Sequence, residues 1–191
     1  WERCKESNAE EVIVITDSDE IFRHISDLGG EAFISTTNHD SGTDRVQEYA
    51  KTAGLEAQEV VINVQGDEPL IDIEAVNQLG DFMHANKYKY GTIAQHFSSN
   101  TDLLDPNKVK VVLNDDNSAI EFFRDAPIVV KDFSKVVLHH VGIYAYQVDF
   151  LHTFAGLSKT KNELNLKLEQ MRALDNALPL HVLELNLDES W

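Results

Sequence analysis

The chain has 191 residues, 42% hydrophobic and 26% charged, a balance that suits one globular domain with a sizeable core and excludes a disordered polar chain. With 33 Asp and Glu against 16 Lys and Arg, its formal net charge of -17 repels nucleic-acid backbones and anionic lipid, so neither nucleic acid nor membrane is an expected partner. The single cysteine, Cys4, admits no intramolecular disulfide, which fits a reducing cytoplasm, and no apolar run approaches the roughly 18 residues of a spanning helix.

The first seven residues, opening on Trp1, read as the last turns of a helix, and a fragment of a longer protein is expected. Val12-Ile13-Val14-Ile15-Thr16 is a buried-strand pattern closed by Asp17-Ser18-Asp19-Glu20; Ile21, Ile25 and Leu28 then follow at helical spacing up to Gly29-Gly30. Ala32 to Ile34 is a short strand, and a loop from Ser35 to Ser41 leads into a helix over about Thr43 to Ala53, stopped by Gly54. Val60 to Val64 is too short for a helix and too uniformly apolar for a half-exposed strand, so it reads as a strand buried on both faces. It runs directly into the acidic turn Gln65-Gly66-Asp67-Glu68-Pro69. In open α/β sheets ligands bind outside the carboxyl ends of strands, which makes this junction a candidate crevice; a merely solvated acidic loop is the plainer reading. Ile73, Val76, Leu79, Phe82 and Met83 mark the next amphipathic helix. This alternation of strand and helix predicts right-handed crossovers and a mainly parallel sheet.

Near residue 90 the pattern changes. Thr92 to Ala94 is a strand; Lys108 to Leu113 alternates polar and apolar up to the turn Asn114-Asp115-Asp116-Asn117, and Ala119 to Phe123 returns from it, an antiparallel hairpin. His140 to Tyr146 is a further strand, followed by helices near Val148 to Ala155 and Asn162 to Leu174, with Leu164, Leu168, Met171 and Leu174 as core, and a last strand at His181 to Leu185 after Pro179.

Several clusters carry chemistry. Asp17-Ser18-Asp19 is either a metal-binding aspartate pair or a helix cap with acidic residues favoured by the dipole, and the missing Thr after the second Asp favours the cap. Ser41-Gly42-Thr43-Asp44-Arg45 opens a helix whose free N–H groups suit an anion or a carbonyl-rich base, though Ser41 is equally a cap and Arg45 a surface charge. Asp67 suits a hard cation such as magnesium, which takes oxygen ligands and is often held by one or two carboxylates plus substrate phosphates. No second carboxylate partner is evident after the last strand, where the sequence reads Leu187-Asp188-Glu189-Ser190-Trp191. His139 and His140 point to opposite faces of one strand and cannot share an ion, and neither a G-x-G-x-x-G nor a Walker-type phosphate loop is present.

Read in order, Ile15-Thr16-Asp17, His39 to Arg45, Val61 to Pro69, Asn107 to Val112, His140-Val141-Gly142-Ile143-Tyr144 and Leu168-Glu169-Gln170-Met171-Arg172 resemble the 3-deoxy-D-manno-octulosonate cytidylyltransferases, also called CMP-Kdo synthetases. The resemblance runs over nearly the whole chain. It implies an α/β fold of the nucleotidyltransferase (Rossmann-like) type, its mainly parallel sheet flanked by helices, with a smaller antiparallel β-rich portion that pairs two subunits into a homodimer. Residues 1–90 would then be the nucleotide-binding part and 91–191 the sugar-binding and dimerisation part of one nucleotidyltransferase domain. It further implies transfer of CMP from CTP to the sugar acid Kdo, with release of pyrophosphate, as a cytoplasmic step towards lipopolysaccharide. Carried over by motif, Ser41, Arg45 and Gln65 are implied nucleotide contacts, Asp67 a magnesium ligand, and Arg124, His140, Tyr144, Glu169 and Gln170 contacts to the sugar acid, with Asp67 and Arg124 taking part in catalysis. Two family segments are missing from this sequence, the first strand with its basic loop and a later V-D-T/S-x-x-D stretch with another metal-binding Asp, so a nucleotidyltransferase is expected of which this fragment by itself is catalytically incomplete. The stretch Phe122 to Ile128 also departs from the family's F-S-R-A-x-I-P, which admits an 8-amino sugar acid as an alternative substrate. A non-catalytic nucleotide-binding or dimerisation module is the alternative from another class.

Overall fold

The computed structural model describes residues 1–125 and 137–187. Ala126 to Ile128 of the departing stretch, and Asp188 to Trp191, lie outside the described residues.

Strand β1 (Ile13–Thr16) passes through helix α1 (Asp19–Asp27) to β2 (Glu31–Ile34), and the two strands pair in parallel. Ser18 caps α1, its side chain accepting from the Ile21 N–H, with Asp19 and Glu20 in the first turn; the acidic cluster after β1 is thus a helix start. Helix α2 (Gly42–Ala53) begins at Ser41, whose hydroxyl accepts from the Asp44 N–H at 3.2 Å, and ends at Gly54 in the left-handed conformation (φ 70) that a glycine adopts without steric cost.

The main sheet holds β3 (Val60–Asn63), β4 (Tyr90–Gln95), β5 (Lys110–Leu113), β6 (Ala119–Phe123), β7 (Val137–Gln147) and β8 (His181–Leu185). Its order is β6-β5-β7-β4-β8, with β3 also on β7. Most of its strands run the same way, as α/β alternation predicts. The pairing is mixed, because β7 lies antiparallel to β3, β4 and β5, and only β4 and β8 pair in parallel within this sheet. At 11 residues β7 serves two partners along one edge: Val137 to His139 pair with β5, and Tyr144 to Gln147 pair with β3. Between those two pairings the carboxyl end of β3 arrives beside Tyr144.

Alternation along β7 divides the core. Val141, Ile143 and Ala145 pack with Ile71, Val76, Leu79 and Met83 of helix α3 (Ile73–Asn86) and the turn before it. Leu138 and Tyr146 face the other layer, where Tyr90, Phe150 and Phe154 from β4 and helix α5 (Val148–Ala155) form a buried aromatic stack; the Tyr90 and Tyr146 rings lie 4.8 Å apart. Strand β4 is buried on both faces, as its position between β7 and β8 demands.

Three expectations change. The first seven residues hold a 3-10 turn at Cys4–Glu6, not the end of an α-helix. Helix α4 (Asn100–Leu104), capped by Ser99, went unread because five residues are too few to show periodicity. The helix expected over Asn162 to Leu174 is two helices, α6 (Lys161–Leu166) and α7 (Met171–Asp175). The break is at Lys167, which turns left-handed (φ 55) as the cap of α6. That reversal buries Leu168 and Gln170, at 5% and 2% exposure, and leaves Leu164 outside at 61%, so Leu164 is not core. Gln170 and Arg172 are buried as well, although polar residues between core leucines of an amphipathic helix ordinarily face solvent.

Candidate active site

The site grows from the Glu163–Arg172 turn. Thr160 and Glu163 form a reciprocal capping box at the start of α6, and the same Glu163 carboxylate receives Arg172 Nε at 2.9 Å and Nη2 at 2.5 Å. Both side chains are buried, and the Arg172 guanidinium lies 4.9 Å over the Phe154 ring. Arg172 Nη2 also reaches Glu169 Oε1 at 3.4 Å, and Thr43 at the start of α2 donates to Glu169 Oε2 at 2.7 Å. Next door, the Tyr144 hydroxyl donates to Gln170 Oε1 at 3.0 Å, while Gln170 Nε2 is buried without a partner among the described residues. A buried amide donor left open costs stability unless something binds it, which marks this corner as built for a ligand. An open groove of ≈ 330 Å³ runs past Ser41, Lys159, Glu169 and Arg172.

His140 sits on the same face of β7 as Tyr144. It is 6% exposed, with Nε2 3.0 Å from the Thr92 hydroxyl. Burial, reinforced by neighbouring His139, lowers its pKa to about 3, so the ring is neutral at pH 7. Burial likewise pushes the Tyr144 phenol well above its usual value, which keeps it a hydrogen-bond donor. Asn63, the last residue of β3, pairs with Tyr144 across the sheet, and its buried Nδ2 also lacks a partner among the described residues.

At the start of α2, Arg45 Nη2 pairs with Asp17 Oδ2 at 2.7 Å, and its buried Nε has no partner among the described residues. The loop before Ser41 is pinned by Glu48, which accepts from Ser35 and Thr36 and meets His39 Nε2 at 2.6 Å. Those hydrogen bonds, Ser35 first and then His39, lower the Glu48 carboxyl to about 2. Gln65 is half-buried and Asp67 exposed at the carboxyl end of β3, and Asp67 takes part in no ion pair among the described residues. Glu68 beside it has its carboxyl raised by burial and then by the Asp67 charge.

Arg124 is placed differently. Its Nε donates to the Leu166 carbonyl at 2.9 Å, Nη2 to Lys167 O at 3.3 Å and Nη1 to Pro106 O at 3.4 Å, so it braces the end of α6. Buried Lys110 in turn donates to the Arg124 carbonyl at 2.6 Å. The structure therefore joins Thr43, Tyr144, Glu169, Gln170 and Arg172 by direct bonds and sets His140 on the same sheet face. Thr43 and Glu163 were missed from the sequence, although Thr160-x-x-Glu163 is a legible capping signature.

The donors suit a magnesium ion. Among the described residues no group of three or more metal-binding side chains is preformed, and an exposed hard carboxylate at a strand end suits an ion that brings water and phosphate oxygens as its other ligands.

The frame of the site is a mixed α/β sheet with helices packed on both faces and a polar groove along the start of α2 and the α6–α7 connection. A family model described as "Cytidylyltransferase" matches residues 1–180. The chain belongs to that family, among its 3-deoxy-manno-octulosonate cytidylyltransferases. The protein of that name from Saccharophagus degradans is 37% identical over 196 residues, covering 95% of this chain and 76% of the relative. The one from Trichlorobacter lovleyi is 40% identical over 189 residues, covering 92% and 74%. A solved CMP:2-keto-3-deoxy-manno-octonic acid synthetase complexed with CTP superposes with a TM-score of 0.88 at 31% identity, covering 97% of this chain and 76% of that one. A putative glucose-1-phosphate thymidylyltransferase from Bacillus anthracis shares the fold alone, at TM-score 0.61 and 13% identity, over 96% and 71% of the two chains.

Proposed function

We propose that the chain is a magnesium-dependent cytidylyltransferase that transfers CMP from CTP to Kdo and releases pyrophosphate. The observation that carries this reading is the corner where Thr43 meets Glu169 at 2.7 Å and Tyr144 meets Gln170 at 3.0 Å, which draws segments 126 residues apart into one polar pocket. Ser41, Arg45 and Gln65 hold the cytidine nucleotide. Glu169 accepts hydrogen bonds from sugar hydroxyls, while Gln170, Tyr144 and His140 fix the ring. With a pKa of about 3, His140 is too weak a base to carry the hydroxyl proton at pH 7, so its role is orientation. Among the described residues Arg124 spends three of its five N–H donors on carbonyls, and its remaining donors suit the substrate carboxylate.

Asp67 holds the magnesium ion, which when bound screens phosphate charge from this acidic protein and stabilises the charge that develops at the α-phosphorus. In the division of labour, residues 1–90 serve the nucleotide and 91–191 the sugar acid and the subunit contact. Edge strand β6, with Ile120 41% exposed, supports a homodimer, and dependence on CTP supports a cytoplasmic setting. Pyrophosphate release from CTP in the presence of Kdo tests the reading. Release that depends on both substrates is expected of the full-length protein, and a full-length protein that binds CTP but releases none overturns it in favour of a non-catalytic module.

A further inference from the structure

Thr43 is 2% exposed, just inside the start of α2. A hydroxyl there ordinarily serves its own helix backbone. Here that task falls to Ser41, which caps the Asp44 N–H, and Arg45 is drawn outward to Asp17. Thr43 is free to donate to Glu169 Oε2, and it is the residue of this first turn that bonds to the α6–α7 connection. The other Glu169 oxygen faces Arg172, which buried Glu163 holds by two hydrogen bonds. Glu169 is thus fixed from both sides, yet at 25% side-chain exposure it stays open to the groove.

We propose that Thr43 is a positioning residue that sets Glu169 against the start of α2, and so fixes the spacing between the nucleotide and sugar-acid subsites. The inference rests on the reading above, in which Ser41 and Arg45 serve the nucleotide and Glu169 the sugar acid. A Glu169 released from Thr43 swings on its flexible stem and meets the sugar hydroxyls at an entropic cost, while the nucleotide contacts remain in place.

Thr43→Val keeps the shape and removes the donor. It should raise KM for Kdo about tenfold, the loss of one charge-assisted hydrogen bond, and leave KM for CTP within about twofold. Thr43→Ser should restore the wild-type KM, and in a Glu169→Gln background Thr43→Val should add little. A thermal melt on each variant separates positioning from misfolding. The inference is overturned if wild-type turnover is present and Thr43→Val leaves KM for Kdo unchanged, if it raises both KM values together in step with a lower melting point, or if Thr43→Ser behaves like Thr43→Val. A full-length wild-type protein without pyrophosphate release removes the functional reading, and this inference with it.

Discussion

The two halves of the candidate site are built on opposite plans. At the Glu169–Gln170 corner the polar side chains hold one another and leave Gln170 Nε2 open: Glu163, Arg172, Glu169 and Thr43 form one chain of hydrogen bonds, and Tyr144 holds Gln170. At the Gln65–Glu68 turn the Asp67 carboxylate stands exposed, and only backbone bonds such as Glu68 N to Gln65 O shape the loop. The difference teaches where each half draws its order. The corner is organised by the protein and is ready before a ligand arrives. The turn leaves its charge for a ligand to organise, as expected where a hydrated cation and phosphates supply most of the contacts. Asp67→Asn therefore gives the largest effect and the cleanest break between the halves. Turnover should fall about a hundredfold to a thousandfold, while the melting temperature stays put, because an exposed side chain outside the core contributes little to folding. Full activity with unchanged melting would remove Asp67 from the chemistry; a large drop in melting temperature would show that the turn, too, is built by the protein.

The opposite outcome is expected at Arg172. Arg172→Met leaves the Glu163 carboxylate, at 8% side-chain exposure, without its cation, and breaking a buried pair from one side costs about 3–5 kcal/mol. Urea unfolding measures it. Adding Glu163→Gln should return part of the loss, since the remaining group is then uncharged but still able to cap α6. If Arg172→Met is as stable as the wild type, the corner is not held by this pair.

Much of this was legible in the sequence, for physical reasons that differ from place to place. Strand β3 announced itself by Val60, Val61 and Ile62 in a row, although these three are half-buried and not covered on both faces as expected, and α2 by a Ser cap and a Gly stop at the right distance. The motif order named Tyr144, Glu169 and Gln170, and the structure bonds Tyr144 to Gln170 and brings Thr43, not named from the sequence, to Glu169. What stayed hidden depends on contacts distant in sequence. Periodicity from Asn162 to Leu174 cannot reveal that Lys167 turns left-handed, because the reversal serves a buried Glu163–Arg172 pair and not a local propensity. Nor can it show that Arg124 braces carbonyls 42 residues away. The antiparallel insertion of β7 was equally invisible, since strand direction is settled by pairing and β7 pairs with three strands from earlier in the chain.

The halves also answer acid in opposite directions, and this is the smallest effect of the three. Below pH 6.5 an unfolded chain protonates its histidine at position 140, whereas the folded chain does not until about pH 3, because burial and His139 disfavour the charged ring. The unfolded state binds more protons across that window, so folding stability is present above pH 6.5 and is lost as the pH falls towards 3. By pH 5 the loss is about 2 kcal/mol. Glu68 at the turn has the reverse sign: its raised carboxyl takes up a proton in the folded chain before the unfolded one does, so acid relieves it. Between pH 6.5 and 5 the histidine dominates, since Glu68 is raised from an ordinary carboxyl value of 4.5. His139 and His181 are pushed down by burial as well and add to the wild-type slope, so the contribution of His140 is the difference between wild type and His140→Gln. Urea unfolding at pH 7.5, 6.5 and 5 should give a flatter profile for the variant. Parallel profiles would mean that the ring at position 140 opens to water and charges in the folded state, and the corner would then be less closed than the turn it contrasts with.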